Sequence, residues 1–224
     1  MGDISLRRRL EPALGVDVWE VKLGDEFLMS SLFTAGERAV ADLGLATAHG
    51  DALRVVVGGL GLGYTARAAL ADRRVASVHV IDALEAVIDW HERGLVPIGS
   101  ELVDDPRCTL LRGDFFAMVD AGLDAYVPGS PYDAILVDID HTPSQLLHAA
   151  HAGFYRPDGL RRLAGQLAPG GVFSLWSDEF APNDDFVGVL GVVFASVDAH
   201  VVAFPNHYTG EDSTSTIYVA TTAA

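Results

Sequence analysis

Hydrophobic positions along this chain fall in short clusters separated by glycine, proline and acidic residues. Residues 54–57, 77–81, 108–111, 134–137 and 172–176 are brief apolar runs, the pattern of strands buried on both faces. Longer stretches with apolar residues at helical spacing lie between them. This alternation predicts an α/β fold, a doubly wound and mostly parallel seven-stranded sheet that takes ligands at the carboxyl ends of its strands. Residues 197–203 and 214–220 are two further runs with no long helix between them, which predicts an antiparallel pair closing the sheet. Ahead of the repeating units, residues 16–23 and 26–29 flank Gly24-Asp25 and read as a short β-hairpin. Thr34-Ala35-Gly36-Glu37 has capping-box spacing and opens a helix to about residue 46. Pro157 suits the first position of a helix running to Ala168, which Pro169-Gly170-Gly171 would end. The expected organisation is residues 1–50 as hairpin and lead-in helix, and 51–224 as the ligand-binding sheet domain.

Composition narrows the function classes. The 224 residues are 50% hydrophobic and 21% charged, which suits one compact domain with a small appendage. A net charge of -16 argues against a nucleic-acid partner, which wants a basic face, and is compatible with a small cationic ligand. A single cysteine, Cys108, allows no intrachain disulfide, as in a reducing compartment. No apolar run approaches the roughly 18 residues of a membrane span. Arg7-Arg8-Arg9 leads into Leu10-Glu11-Pro12 and not into an apolar core, so no membrane association or signal peptide is expected, and the expected location is cytoplasmic.

The candidate chemistry begins in "RVVVGGLGLGYT", a β-branched run followed by glycines at every second position. A dinucleotide fingerprint starting at Gly59 and Gly61 would place its third glycine at position 64, which is Tyr64. NAD is therefore the weakest candidate. The spacing of Gly59, Leu60, Gly61 and Gly63 resembles motif I of class I methyltransferase-fold proteins, which bind S-adenosylmethionine. Asp82, followed by Ala83, ends the second strand about 20 residues on, where a carboxylate accepts hydrogen bonds from ribose hydroxyls or caps the next helix. Asp114, followed by Phe115, ends the third strand and suits either an adenine amino group or a helix cap. Asp138 ends the fourth strand, facing the reactive end of a nucleoside held over the glycine turn, where it could orient or deprotonate a nucleophile. Asp140 and His141 follow it. Asp138, Asp140, His141, His148 and His151 are metal-ligand types, but their spacing matches no tight metal motif, and no metal is expected. Cys108 lies in an apolar run, where a thiol is inert. Asp178-Glu179 could rim the pocket and attract a cation.

Together these residues resemble the spermidine synthase family and its looser relatives on the class I methyltransferase fold. The resemblance is carried by "YDAILVDID" with "FYRPDGLRRLAGQLAPGGVFSLW", by "VIDALEAVIDWH", by "RGDFF" and by "GDEFLMSS". It implies S-adenosylmethionine or its decarboxylated form as cofactor, with Asp82 at the ribose and Asp114 at the adenine. Asp138 would then be the main catalytic group, assisted by Asp140 and His141. The partner it implies is a small-molecule acceptor, such as an amine, and a homodimer is compatible with it. Three departures stand beside the likeness. The family turn carries an Asp where Gly61 stands, its Tyr-His-Glu type triplet is replaced by Met29-Ser30-Ser31, and His141 takes the second Asp of its D-x-x-D loop. The nucleoside half of the site is thus kept and the acceptor half changed. The expectation is an S-adenosylmethionine-dependent transferase moving an alkyl group to a small nucleophile, with methyl slightly favoured. An aminopropyltransferase with an altered acceptor and a non-catalytic nucleoside-binding protein are the alternatives.

Overall fold

The computed structural model describes residues 3–127 and 129–224. Its main sheet is built from β4 (Leu53–Gly58), β5 (Val75–Asp82), β6 (Cys108–Arg112), β7 (Tyr132–Val137), β8 (Leu167–Ser177), β9 (Ser196–Pro205) and β10 (Asp212–Thr221). The spatial order is β6-β5-β4-β7-β8-β10-β9. The pairs among β4 to β8 are parallel, while β10 runs antiparallel to both β8 and β9. This is the doubly wound, mostly parallel seven-stranded sheet expected from the alternating apolar runs, with the last two strands as the antiparallel closure.

The strands read as unbroken apolar runs because each side chain has a core to enter. Val55 and Val57 face one cluster with Val78, Val80, Ala134 and Leu136, and Val56 faces another with Ile81, Ile135 and Val137. Alternation along a strand sends neighbours to opposite faces, so a strand covered on both sides is apolar except where a small hydroxyl finds a partner, as Ser174 of β8 does at the Val40 carbonyl. The valines of β4 are all fully buried, worth about 1.5–3 kcal/mol each.

Helices α1 (Ala35–Thr47), α2 (Tyr64–Ala71), α3 (Glu85–Glu92), α4 (Gly99–Val103), α5 (Phe115–Ala121), α6 (Pro157–Ala164) and α7 (Asp184–Gly191) accompany these strands. Helix α6 begins with Pro157 near its first position, as expected, but stops at Ala164 and not at Ala168. Leu167 already pairs with Tyr132, and the ladder resumes only at Ala134 with Val172. Pro169-Gly170-Gly171 therefore lies in an irregularity inside β8, where Gly170 takes φ of 70°.

The N-terminal sheet holds three antiparallel strands where two were expected: β1 (Ile4–Glu11), β2 (Val16–Leu23) and β3 (Glu26–Ser30). Strand β1 escaped notice because its three consecutive arginines interrupt the apolar alternation. Tertiary partners accommodate them: Arg8 lies over the Trp19 ring and reaches Asp17, and Arg9 bonds Glu11 and Glu20 at 2.7 Å each.

Candidate active site

A cavity of about 650 Å3 opens where β4, β5, β6 and β7 end, roofed by the N-terminal sheet and by the loops after β8 and β9. Strand β4 has β5 on one side and β7 on the other, so the chain reverses its winding direction there, and that crevice is the usual ligand position in an open α/β sheet. Gly59, Gly61 and Gly63 all take positive φ, of 96°, 48° and 90°. A β-carbon at Gly59 would collide with the carbonyl oxygen of Asp138, and one at Gly61 with the Met29 sulfur. The turn is thus glycine by necessity.

Asp82 sits beneath this turn. Leu60 N–H donates to one of its oxygens at 2.9 Å and Leu84 N–H to the other at 2.8 Å. Burial raises its carboxyl above the usual range even so. Helix α3 starts only at Glu85, so Asp82 does not cap it; it ties the glycine turn to the end of β5. Asp114 does cap α5, accepting from Ala117 N–H at 3.2 Å, while also lining the cavity. His91 closes the underside: its Nε2 lies 3.0 Å from the Gly61 carbonyl, which fixes the proton on that nitrogen. Burial lowers its pKa, keeping the ring neutral.

Asp138 follows β7 and presents one face to the cavity. Its Oδ2 accepts from the Thr65 hydroxyl at 2.8 Å, and that hydroxyl also lies 3.1 Å from the Glu37 carbonyl oxygen. Burial raises the Asp138 carboxyl to about 6. Glu37, in the first turn of α1, lies on the same wall and is raised to about 8, first by burial and then by the charge of Asp138. His141 lines the cavity from the loop after β7 and meets Glu26 of β3 at 3.0 Å.

Of the residues singled out from sequence, Gly59, Leu60, Gly61, Asp82, Ala83, Asp114, Phe115, Asp138 and His141 line this one cavity. Gly63 does not; it precedes α2 and packs toward Leu102 and His91. Asp140 does not line it either. Its buried carboxylate receives Leu147 N–H at 2.7 Å and the Tyr155 hydroxyl at 2.9 Å, and His151 Nδ1 at 2.9 Å. Adjacent residues after a strand point to opposite sides, so Asp138 and Asp140, two apart, part company only because the loop bends. His151 stacks on Phe116 and His148 accepts from Ala150 N–H. Among the described residues no three His, Cys, Asp or Glu side chains converge as metal ligands. Asp178 reaches the cavity wall, whereas Glu179 is taken up by Ser177, Asn183 and Tyr218. The Cys108 thiol, pushed up to about 12 by burial, is inert at neutral pH.

No family model matches the sequence. Polyamine aminopropyltransferase 2 of Pseudomonas aeruginosa is 27% identical over 168 residues, covering 71% of this chain but only 44% of that protein's length. The spermidine synthase of Thermotoga maritima superposes with a TM-score of 0.72 at 17% identity, covering 96% of this chain and 68% of that one. A spermidine synthase in complex with the transition-state analogue AdoDATO gives 0.74 at 16% identity, covering 96% and 69%. The chain is thus similar in sequence to a polyamine aminopropyltransferase and shares the fold of spermidine synthases.

Within that likeness, the residue that the sequence reading passed over is Glu37. Its spacing from Thr34 looked like a capping box, yet Thr34 makes no side-chain cap bond and Glu37 turns to the cavity. A glutamate amid Gly36, Ala39, Val40 and Ala41, all buried, was the available signal. Met29 is the second: its sulfur accepts Leu62 N–H at 3.2 Å, against the glycine turn. The aromatic wall of Phe33, Trp176 and Phe204 and the polar strip of Ser213 to Ser215 are assembled from distant segments. Among the described residues, no helix is long and apolar enough to cross a membrane.

Proposed function

We propose that the protein transfers an alkyl group from the sulfonium of an S-adenosyl nucleoside to the nitrogen of a small amine. The observation that carries this reading is one cavity lined by the glycine turn, by Asp82 and Asp114 at the ends of β5 and β6, and by the acidic pair Asp138 and Glu37. Asp82 and Asp114 suit a nucleoside: a carboxylate has about four acceptor positions, so Asp82, held by main-chain N–H groups of Leu60, Gly61 and Leu84, keeps acceptor capacity for a ribose hydroxyl, and Asp114 can accept from an adenine amino group. The acidic pair suits a cationic or proton-losing nitrogen.

In the reaction the amine lone pair attacks the carbon next to sulfur, the carbon–sulfur bond breaks, and its electrons return to sulfur as a neutral thioether. The nitrogen, now bearing an extra bond, loses a proton to Asp138, whose raised pKa suits a base working near neutrality. Much of the acceleration would come from aligning nitrogen, carbon and sulfur in line. His141 faces the acceptor side, and Asp140 acts through the loop, anchoring it by way of His151 and Tyr155.

The relatives act on polyamines or are named spermidine synthases, which moves aminopropyl transfer from a decarboxylated donor ahead of the methyl transfer slightly favoured on sequence alone. A non-catalytic nucleoside binder is the second reading, favoured by the thioether of Met29 where the family's polar triplet stands. The test is incubation of labelled S-adenosylmethionine and its decarboxylated form with a panel of amines. We expect label on an amine and methylthioadenosine released from the decarboxylated donor. Nucleoside binding without label transfer to any amine would leave the second reading standing.

A further inference from the structure

Glu37 differs from the other buried acids of this protein. Asp140 is bonded by Leu147, His151 and Tyr155, and Glu11 by Arg9 and Tyr208. Among the described residues no other residue bonds the Glu37 carboxylate; only its own main-chain N–H acts on it. The residue is 9% exposed, and it lines the cavity beside Asp138. A buried carboxylate with no partner is costly unless it stays neutral or meets a cation. Among the described residues no basic side chain bridges either carboxylate, and the charge of Asp138 makes the cost greater.

The surroundings favour an organic cation. Gly36 lets the Trp176 indole lie against the first turn of α1, since a β-carbon there would collide with the ring. Trp176 therefore brings an aromatic wall to the cavity next to Glu37. Paired carboxylates beside an indole match an alkylammonium, which offers three N–H donors to the carboxylates and a positive charge that an aromatic neighbour tolerates. We infer that Glu37, with Asp138, forms a seat for a primary alkylammonium group, and that Glu37 is the residue selecting it. The inference rests on the transfer reading for what the ammonium is there to do; its binding is independent of that reading. Two parts of a reacting pair could bring this group, the alkyl arm of the donor or the acceptor amine.

Binding a cation here lets both carboxylates ionise, so a proton leaves the protein. Besides the pair, the ionisable groups lining this cavity include Tyr64 from α2, Asp82 and Asp114 from the ends of β5 and β6, His141, His148 and His151 from the segment after β7, and Asp178 from the loop after β8.

The test is calorimetry with n-butylamine at pH 7 in buffers of different ionisation enthalpy, on wild type, Glu37→Gln and Glu37→Leu. A second arm compares decarboxylated S-adenosylmethionine with methylthioadenosine, which lacks the ammonium. We expect wild type to bind one of the cations with proton release. Both variants, folded by thermal unfolding, should lose at least tenfold in that affinity and the proton release, while methylthioadenosine affinity stays within about twofold. Loss confined to butylamine assigns the seat to the acceptor, and loss confined to the decarboxylated donor assigns it to the donor arm. Unchanged affinity for both cations in a folded variant overturns the inference, as does failure of wild type to prefer either cation over its neutral counterpart, n-butanol or methylthioadenosine. If wild type ignores methylthioadenosine yet holds butylamine through Glu37, the transfer reading falls and the seat remains.

Discussion

Both oxygens of Asp82 are engaged by main-chain N–H groups, Leu60 on one side and Leu84 on the other, so this residue shapes the glycine turn before a ligand arrives. Under the transfer reading the same carboxylate also accepts from the ribose. Asp82→Ala should then weaken methylthioadenosine binding by about 1.5–3 kcal/mol, roughly ten- to 150-fold, by calorimetry. Wild-type affinity in a folded variant would remove the ribose role. Asp138 is the opposite case: one oxygen is held by Thr65 and the rest of the carboxylate faces the cavity. Asp138→Asn keeps size and hydrogen bonding but cannot take a proton at neutral pH, so turnover with the best amine should fall about 10²–10⁴-fold with nucleoside affinity preserved. A rate within about twofold of wild type would show that another group takes the proton.

Elements are joined here by a few specific contacts. The glycine turn between β4 and α2 approaches the end of β7 so closely that Gly59 faces the Asp138 carbonyl, at φ of 96°. Gly59→Ala combines left-handed strain with a backbone collision, and should lower stability by about 1–3 kcal/mol or more and abolish nucleoside binding together. Denaturant unfolding beside calorimetry would check both; retention of binding would mean that the turn can move away from β7. On the roof, the Tyr208 hydroxyl, between β9 and β10, accepts from Arg9 at 2.6 Å and donates to Glu11 at 3.0 Å. Phe33 packs its ring edge-on against Tyr208, with centroids 5.7 Å apart. This clasp holds the N-terminal sheet over the cavity. Because Arg9 and Tyr208 are solvent-accessible, Tyr208→Phe should change global stability little while speeding amide exchange in β1 selectively. Uniform exchange rates in the two proteins would show that the aromatic contact alone keeps the roof in place.

At the scale of the whole molecule, acidity and the buried pair act in the same direction. Glu37 is raised from 4.5 to about 8 and Asp138 from 3.8 to about 6, so the folded state holds these protons more tightly than the unfolded one. Their contribution is complete below about pH 4 and is lost as pH rises through 6 and then 8. The net charge of -16 adds self-repulsion over the same range. The ligand-free protein should therefore melt at progressively lower temperature from pH 5 to pH 8. Glu37→Gln should flatten that decline by ~2–4 °C or more, since about 1 kcal/mol corresponds to that shift in a chain of this length. Identical pH profiles would place the Glu37 proton elsewhere in the energetics.

The strands of the main sheet, their parallel order and the glycine turn were legible in the sequence because local rules govern them. A strand buried on both faces is nearly continuous in apolar residues, and a turn that touches a neighbouring backbone at positive φ must be glycine. Asp82, Asp114 and Asp138 were legible for a related reason: each ends an apolar strand, and parallel strands bring such ends together. What the local pattern does not contain is direction. Asp140 lies two residues beyond Asp138 in sequence, yet the loop turns one to the cavity and buries the other against His151 and Tyr155. Glu37 has the spacing of a helix cap, and only the packing of α1 beside β7 sends its carboxylate to Asp138. The arginines of β1 look unlike a strand until Glu11, Glu20 and Trp19 are beside them. Those outcomes depend on contacts between residues far apart in the chain, so the tertiary structure alone decided them.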